Sequence, residues 1–125
     1  MGYASTREAA IAHIARFRDD PNSRLQVAVD SVAGVVGLVA THLVPRLDDD
    51  AFTCRITDLV VSTTHRRRGI ATQLLAAAES EARRAGVPRL DLTSGDWRAD
   101  AHALYLSHGF TARARGFTRR LTELA

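Results

Sequence analysis

A basic turn followed by small residues is the stretch of this chain whose residue types and spacing are best suited to chemistry. Residues 58–72 read DLVVSTTHRRRGIAT and pass from apolar residues through three arginines to Gly69. A helix that begins at this glycine leaves several backbone N–H groups unpaired and carries partial positive charge at its start. Glycine lets a ligand approach the backbone, and arginine binds phosphate through paired donors, so the stretch predicts a phosphate or pyrophosphate site. An ordinary basic turn is the alternative interpretation.

The secondary structure predicted from apolar periodicity places this turn between a strand and a helix. Ser5–Glu8 has the sequence of a capping box and starts a helix that ends near Asp19. The basic turn is followed by a second helix with an apolar stripe, which Gly86 ends, and Asp96 caps a third helix that runs to about Ser107. Apolar runs predict strands over residues 25–30, 35–44, 52–62, 89–94 and 110–121.

The order of these elements predicts an α/β fold, with a mixed, mostly antiparallel sheet and helices on both faces. The strand, helix and strand between Phe52 and Ser94 form a central parallel unit, and such crossovers are right-handed. A chain of 125 residues is long enough for one domain and too short for two. Residues 1–125 are therefore predicted to form a single domain.

The composition excludes several classes of protein. Hydrophobic residues make up 46% of the chain and charged residues 25%, as in globular domains rather than disordered or fibrous chains. No apolar run approaches about 18 residues, and the first residues lack the apolar core of a signal peptide, so neither a membrane partner nor secretion is expected. Cys54 is the single cysteine, which leaves no internal disulfide and fits a cytoplasmic location.

The positive charge comes from arginine alone, since all 17 basic residues are arginine and the formal net charge is +3. This modest positive net charge is compatible with anionic partners but does not indicate which one the protein binds. Nucleic-acid binding is not expected, because no helix-turn-helix, zinc or aromatic RNA-binding signature accompanies the arginines. No metal site is expected either, because the histidines are scattered and form no ligand set with the single cysteine.

The basic turn and a second segment together carry a family resemblance. The spacing Arg66-x-x-Gly69-x-Ala71, which follows an apolar strand, resembles the cofactor motif of the GNAT superfamily of acyl-CoA-dependent N-acetyltransferases. Residues 98–110, RADAHALYLSHGF, are similar to the last helix of that superfamily. The resemblance runs from about residue 5 to residue 121, and the pattern looks nearest to aminoalkylphosphonate and glucosamine-phosphate N-acetyltransferases.

The resemblance implies a GNAT-like sheet, acetyl-CoA as the acyl donor, and a small-molecule amine as the acceptor. Backbone groups of Leu59, Val60 and Val61 would bind the pantetheine arm and polarise the thioester carbonyl. Arg98 stands where many relatives have an asparagine that contacts the cofactor, and it is included for that reason. The residues implied to hold the pyrophosphate are Arg66, Arg67, Arg68, Gly69, Ile70, Ala71 and Thr72.

The same resemblance implies two catalytic residues. Tyr105 would stand near the sulfur and give a proton to the leaving thiolate, with simple packing on the last helix as the alternative. Asp58 would be the base for the amine, although relatives often carry two acidic residues where this chain has Thr57 and Asp58. Strand alternation places Asp58 on the same face as Cys54 and Ile56. A structural aspartate that pairs with a nearby donor is therefore the alternative.

Departures from the family pattern lead to two further hypotheses. Because Thr57 stands in place of an acid, a non-catalytic module that binds acyl-CoA is the alternative to an enzyme. Relatives usually begin with a strand before the first helix, whereas only about four residues precede the capping box here, which leaves a sheet edge for a second copy to cover. A homodimer is therefore a hypothesis.

Overall fold

The structure is a computed structural model of the chain, and it describes residues 7–48, 51–92, 99–112 and 117–122. The chain is divided into two compact units, Met1–Leu92 and Thr93–Ala125. The described part of the first unit holds a sheet, two helices and the basic turn, and that of the second holds one helix. The predicted capping residues Ser5 and Thr6 lie outside the described residues.

The first unit is built on a four-stranded sheet. Its elements in chain order are α1 (Arg7–Asp19), β1 (Ser23–Asp30), β2 (Gly34–Pro45), β3 (Phe52–Val61), α2 (Ile70–Arg84) and β4 (Leu90–Leu92). The strands lie side by side in the order β1-β2-β3-β4. The first two pairs are antiparallel, and β3 pairs with β4 in parallel. The predicted mixed sheet with a parallel strand–helix–strand unit is therefore confirmed.

The helices α1 and α2 lie on opposite faces of this sheet, as predicted. Odd and even positions along a regular strand point to opposite faces. On β2, Gly37 faces α2, because a Cβ at this position would lie 3.1 Å from Leu74. His42 faces α1, because its ring lies against Phe17 with 5.0 Å between the ring centroids.

The core of the first unit lies between the sheet and α2, which packs against β2 and β3. The sheet contributes Val39 and Cys54, which are fully buried. Gly86 ends the helix as predicted, with φ +72° and its N–H bonded to the carbonyl of Arg83. The predicted apolar stripe of α2 is buried except at its first residue, Ile70, which is half-buried. Its buried residues are Leu74, Leu75, Ala78 and Ala82.

Gly37 permits a close approach between β2 and the start of α2. A Cβ at this position would lie 3.0 Å from the carbonyl oxygen of Val60, 3.1 Å from Leu74 and 3.2 Å from Ile70. A backbone carbonyl does not move aside as the end of a flexible side chain does, so a larger residue pushes α2 away from the sheet. A glycine inside a strand is the sequence signal for such a contact.

We therefore expect Gly37→Val to lower the free energy of unfolding by about 1–3 kcal/mol, which is the usual effect of overpacking a core. Urea denaturation followed by circular dichroism measures this change. Ala33→Val, in the exposed turn before β2, is the control and should change stability by less than about 0.5 kcal/mol. A Gly37→Val protein as stable as the wild type would contradict the close contact.

The strand β1 forms one edge of the described sheet, and its surroundings are apolar. Val27 and Val29 are 48% and 67% exposed. Ile11 and Ile14, on the neighbouring helix α1, are also more than half exposed. An unpaired edge beside exposed apolar side chains is the kind of surface that another strand covers.

The described part of the second unit consists of one helix and the residues that follow it. This helix, α3 (Ala99–Ser107), ends where the sequence predicts. Gly109 follows with φ +84°, and the N–H of Phe110 donates to the carbonyl of Tyr105 at 3.1 Å. A glycine in this conformation ends a helix in the same way as the one after α2. The predicted cap, Asp96, lies outside the described residues.

The predicted strand over residues 110–121 is wrong for the part of that segment that the structure describes. Residues 110–112 and 117–121 lie in no strand. Alternation in the sequence shows that a segment can form a strand, but the strand also needs a neighbour for its backbone groups. Phe117 and Leu121, which a strand would pack against a helix or sheet, are instead 97% and 87% exposed.

Candidate functional site

The predicted phosphate-binding turn connects β3 to α2. A short 3₁₀ turn, Thr63–His65, leads from the end of β3 into the three arginines. Arg67 and Gly69 have φ values of +63° and +77°, so the backbone enters the left-handed region twice before α2 begins. Glycine adopts a positive φ without steric cost, which explains its presence directly before the helix.

The start of α2 is an open, positively charged surface. Gly69 provides no side-chain cap for the first N–H groups of the helix. The space in front of this glycine is empty, since a Cβ there would meet nothing within 4 Å. The exposed guanidinium groups of Arg66, Arg67 and Arg68 make no ion pair or hydrogen bond with any described residue. These features are what an anion site at a helix start requires.

A carboxylate on the β1–β2 hairpin lies beside the basic turn. His65 Nε2 lies 3.7 Å from Asp30 Oδ2, and the side chain of His65 is only 13% exposed. The backbone N–H groups of Ala33 and Val32 donate to Asp30. These two bonds, and then the charges of His65 and Arg68, hold the pKa of Asp30 below its ordinary value. The carboxylate stays ionised and anchors the turn through His65.

The second half of β3 has an edge with no strand partner among the described residues. The parallel pairing with β4 involves only residues 54–56 of β3. Beyond this point β2 is the only partner of β3 within the described residues. Leu59, Val60 and Val61 lie in this part, so their backbone groups on the β4 side are open to an extended ligand.

A β-bulge in β3 changes the direction in which Asp58 points. Asp58 pairs with Ala40, but Ile56 pairs with Thr41, so β3 has one residue more than β2 at this point. Paired residues point to the same face, which places Asp58 on the α1 face and Ile56 on the α2 face. The prediction that Asp58 shares a face with Cys54 and Ile56 is therefore wrong, because alternation is interrupted by the bulge.

The carboxylate of Asp58 is half-buried and available. It makes no hydrogen bond or ion pair with any residue that the structure describes. The alternative of a structural aspartate paired with a donor therefore has no support in the described part of the chain. Arg98 lies outside the described residues, as do residues 93–97 before it.

Tyr105 belongs to α3 in the second unit. Its ring is half-buried and meets Phe110 edge-on, with 6.3 Å between the ring centroids. Within the described ranges the Tyr105 hydroxyl has no hydrogen-bond partner. The ring is thus held by packing while the hydroxyl stays available, an arrangement that suits an acid.

Sequence reasoning missed a set of polar residues next to Asp58. The hydroxyl of Thr57, the extra residue of the bulge, lies 3.1 Å from His42 Nε2. His42 Nδ1 lies 2.7 Å from the hydroxyl of Ser23, which donates to Asp20 at 2.7 Å. In the sequence His42 is a lone histidine on a strand, and only the register of β2 and β3 shows that it meets Thr57.

Other candidate sites are weaker within the described part of the chain. A cavity of about 260 Å³ is lined by Glu81, Arg84 and Ala85 at the far end of α2. This end lies about 20 Å from Gly69, given the rise of an α-helix, so the cavity is not the predicted anion site.

The described residues contain no group of three side chains that could hold a metal. No described helix is long and apolar enough to cross a membrane.

Comparison of the sequence with known families gives one match over most of the chain. The sequence model of the acetyltransferase (GNAT) family matches residues 2–110. The match includes the sheet, the basic turn and α3. Among characterised proteins, the aminoalkylphosphonate N-acetyltransferase of Salmonella typhimurium is 33% identical over 121 residues. The matched region is 97% of this chain and 75% of that protein.

Comparison with solved structures identifies the same fold. A protein from Bacillus halodurans described as a transcriptional regulator superposes with a TM-score of 0.83 at 24% identity, over 91% of this chain and 76% of that one. The structure of AAC(6')-Iy, in complex with the bisubstrate analogue CoA-S-monomethyl-acetylneamine, gives a TM-score of 0.81 at 14% identity. That match covers 97% of this chain and 84% of the other.

Proposed function

The chain belongs to the GNAT family of acetyltransferases, and from this premise we propose that it transfers the acetyl group of acetyl-CoA to a primary amine on a small molecule. The observation that carries the proposal is the open helix start at Gly69, with three arginines that make no hydrogen bond or ion pair with a described residue. The strand that leads into it, β3, has an edge without a strand partner among the described residues. This combination suits a ligand with a pyrophosphate and an extended arm that contains amide groups.

The residues proposed to bind acetyl-CoA form two groups, one for the pyrophosphate and one for the pantetheine arm. The arginines Arg66–Arg68 and the first N–H groups of α2, from Ile70 to Thr72, bind the pyrophosphate. The Thr72 hydroxyl is exposed and adds a donor. Backbone groups of residues 59–61 bind the pantetheine arm, and Arg98 is proposed as a further contact. The bound molecule supplies a reactive thioester, and a β3 N–H group stabilises the negative charge that develops on its carbonyl oxygen.

The acceptor amine must lose a proton before it can react. A primary amine with a pKa near 10 is almost wholly protonated at pH 7, and its nitrogen attacks only after it loses a proton. We propose that Asp58 receives the ammonium form, because its carboxylate is on the bulge directly before residues 59–61 and has no described partner. After proton loss the nitrogen forms a bond to the acetyl carbon, and the bond to sulfur breaks.

Tyr105 is proposed to supply a proton to the departing thiolate. Because a thiol with a pKa near 8.5 is a good leaving group, a weak acid such as a phenol suffices. The proton that the new amide nitrogen loses restores the tyrosine. Two observations support this assignment: the Tyr105 hydroxyl has no hydrogen-bond partner among the described residues, and its ring packs edge-on against Phe110.

The substrate class is proposed from the relatives. One of them is named for aminoalkylphosphonates, and another was solved with an analogue that joins CoA to an acetylated neamine. Both names describe amines on small molecules. A small-molecule amine is therefore the proposed acceptor, and aminoalkylphosphonates are the first class to test.

The experiment that tests the function has two steps. Calorimetric titration is expected to show binding of acetyl-CoA and CoA but not of ATP, which has phosphates without the pantetheine arm. Release of CoA is then measured with acetyl-CoA and a panel of amines that includes aminoalkylphosphonates and amino sugars. A folded protein that binds neither CoA compound would overturn the proposal.

A second candidate function is a module that binds acyl-CoA without turnover. It is favoured by Thr57, which stands where the family resemblance leads us to expect an acid, and it keeps the whole binding site. The enzyme and the binding module are distinguished by whether CoA is released in the amine panel. Acetyl-CoA binding with no CoA release for any amine would favour the module over the enzyme.

We also propose that a second copy of the chain pairs with the exposed edge of β1. An antiparallel pair centred on Val27 brings Arg24 of one copy opposite Asp30 of the other. Light scattering at assay concentration is expected to give twice the mass of one chain. Val27→Lys puts a charge at the centre of the edge and should give the mass of one chain. A wild-type protein with the mass of a single chain would contradict the dimer.

The remaining parts of the proposal concern the chain as a whole. We propose one functional domain over residues 1–125, because the family match includes residues of both compact units. A cytoplasmic location is proposed from the single cysteine, which suits a reducing compartment. Neither a metal, a nucleic acid nor a membrane takes part in the proposed reaction.

A further inference from the structure

A continuous chain of hydrogen bonds ends next to Asp58, on the α1 face of the sheet. It joins Asp20, Ser23, His42 and Thr57 through three contacts of 2.7, 2.7 and 3.1 Å. Asp20 and Thr57, at the two ends of the chain, are exposed, whereas Ser23 is buried and His42 is half-buried, so the chain joins two surface residues through a buried hydroxyl. Thr57 is two residues before Leu59, which is about 7 Å along a strand.

With a neutral imidazole, the donors and acceptors in this chain have only one consistent direction. A carboxylate can only accept, so the single hydrogen of the Ser23 hydroxyl goes to Asp20. His42 Nδ1 must then carry a hydrogen and donate it to Ser23. In a neutral imidazole this leaves Nε2 without a hydrogen, so Nε2 accepts the hydroxyl hydrogen of Thr57. The lone pairs of the Thr57 oxygen remain open to an external N–H donor.

The surroundings hold the members of this chain in place. The ring of His42 lies against Phe17 at an angle of 44°, which limits its rotation. The pKa of Asp20 lies below its ordinary value, first because the N–H of Asn22 donates to it, and then because of Ser23 and the charge of His42. Asp20 is thus a carboxylate, which can only accept, and it fixes the direction of the Ser23 hydroxyl hydrogen.

We propose that Thr57 and His42 remove the proton that the acceptor amine must lose, an inference that rests on the proposed acetyltransferase function. The ammonium group, held by Asp58, gives one hydrogen to the Thr57 oxygen, and Thr57 gives its own hydroxyl hydrogen to His42 Nε2. One N–H bond and one O–H bond break, while one O–H bond and one N–H bond form. The positive charge moves from the amine to the imidazole, and the Thr57 hydroxyl is regenerated.

An imidazole suits this task better than the neighbouring carboxylate does. Carboxylates ordinarily titrate near pH 4 and imidazoles near pH 6.5, so an imidazole is the stronger base by about two pKa units. Asp58 therefore binds the ammonium group by charge, whereas His42 accepts the proton. This division gives the variants different kinetic effects, which distinguish the relay from a purely structural role.

The first test compares variants of the relay in the acetylation of the best amine from the panel. Thr57→Val keeps the shape of the side chain without its hydroxyl, and His42→Gln removes the base. Each is expected to lower kcat by about 100-fold, the lower end of the range for general base catalysis, with acetyl-CoA affinity unchanged in calorimetry. Thr57→Ser should restore most of kcat, and Asp58→Asn should mainly raise KM for the amine.

The controls separate this inference from the proposed function. His13→Gln changes an exposed histidine of α1 and should leave kcat unchanged. An active wild-type protein with an equally active Thr57→Val variant overturns the relay alone. A wild-type protein that binds acetyl-CoA but acetylates no amine overturns the enzyme and the relay together.

A second readout does not depend on turnover. Nitrogen-15 NMR of the free protein, at a pH at which His42 is neutral, is expected to show the hydrogen of its imidazole on Nδ1. Ser23→Ala removes the acceptor of that hydrogen and should shift the population towards the Nε2–H form. A wild-type His42 with its hydrogen on Nε2 would overturn the relay, because Nε2 would have no lone pair for the Thr57 proton.

Discussion

A Gly69→Glu protein is expected to fold and to lose acetyl-CoA binding, with an affinity at least about 100-fold weaker, which corresponds to about 2.7 kcal/mol. The new side chain enters the open space in front of Gly69, where a Cβ meets nothing within 4 Å. Its carboxylate both repels a pyrophosphate and competes with it for the first N–H groups of α2, because a helix start attracts any anion. Calorimetric titration with acetyl-CoA measures the loss.

The effect of this charge must be separated from the strain of a side chain at positive φ. Gly86 provides the matched control, since it has φ +72°, similarly open surroundings and a position at the other end of α2. Gly86→Glu adds the same charge and a similar strain about 25 Å away, and it should bind acetyl-CoA as the wild type does. Urea denaturation shows whether both variants fold. A folded Gly69→Glu protein with wild-type affinity would contradict the pyrophosphate site.

The sequence is sufficient to predict this part of the site because its signals are local. The apolar residues of β3, the arginines and the small residues at the start of α2 are consecutive in the chain. Gly69 and Gly86 are at the two ends of α2, and both have the positive φ that glycine favours. The turn preference of glycine, the helical spacing of the apolar residues and the apolar run of β3 all predict the same local structure. This one segment is therefore enough to predict the strand, the turn and the helix.

The acceptor side is not predicted in the same way, because it depends on the register between strands. A single extra residue in β3 turns Asp58 to the α1 face and brings Thr57 to His42. The sequence contains no residue that marks this bulge, since neither Thr57 nor Asp58 requires it. The predicted strand over residues 110–121 fails for a related reason. A strand forms only where another strand takes up its backbone hydrogen bonds, and which strands become neighbours depends on the tertiary structure.

Tyr105→Phe is expected to lower kcat by about 100-fold, the lower end of the range for general acid catalysis, and to leave acetyl-CoA affinity unchanged. The lower end applies because the CoA thiol has a pKa near 8.5, so its thiolate leaves with modest assistance. The substitution removes one hydroxyl that has no partner among the described residues, and it keeps the edge-on contact with Phe110. Stability should therefore change little.

The measurement is CoA release at saturating acetyl-CoA and amine, with calorimetry on the same preparation. Tyr3→Phe, which changes the other tyrosine of the chain, is the control and should keep the wild-type kcat. A Tyr105→Phe protein with wild-type kcat would leave packing as the role of this residue and move the source of the proton to water. Gly69→Glu lowers affinity for the donor, whereas Tyr105→Phe lowers turnover of the bound donor. The two effects are independent only if binding and chemistry use separate residues, as the proposed site requires.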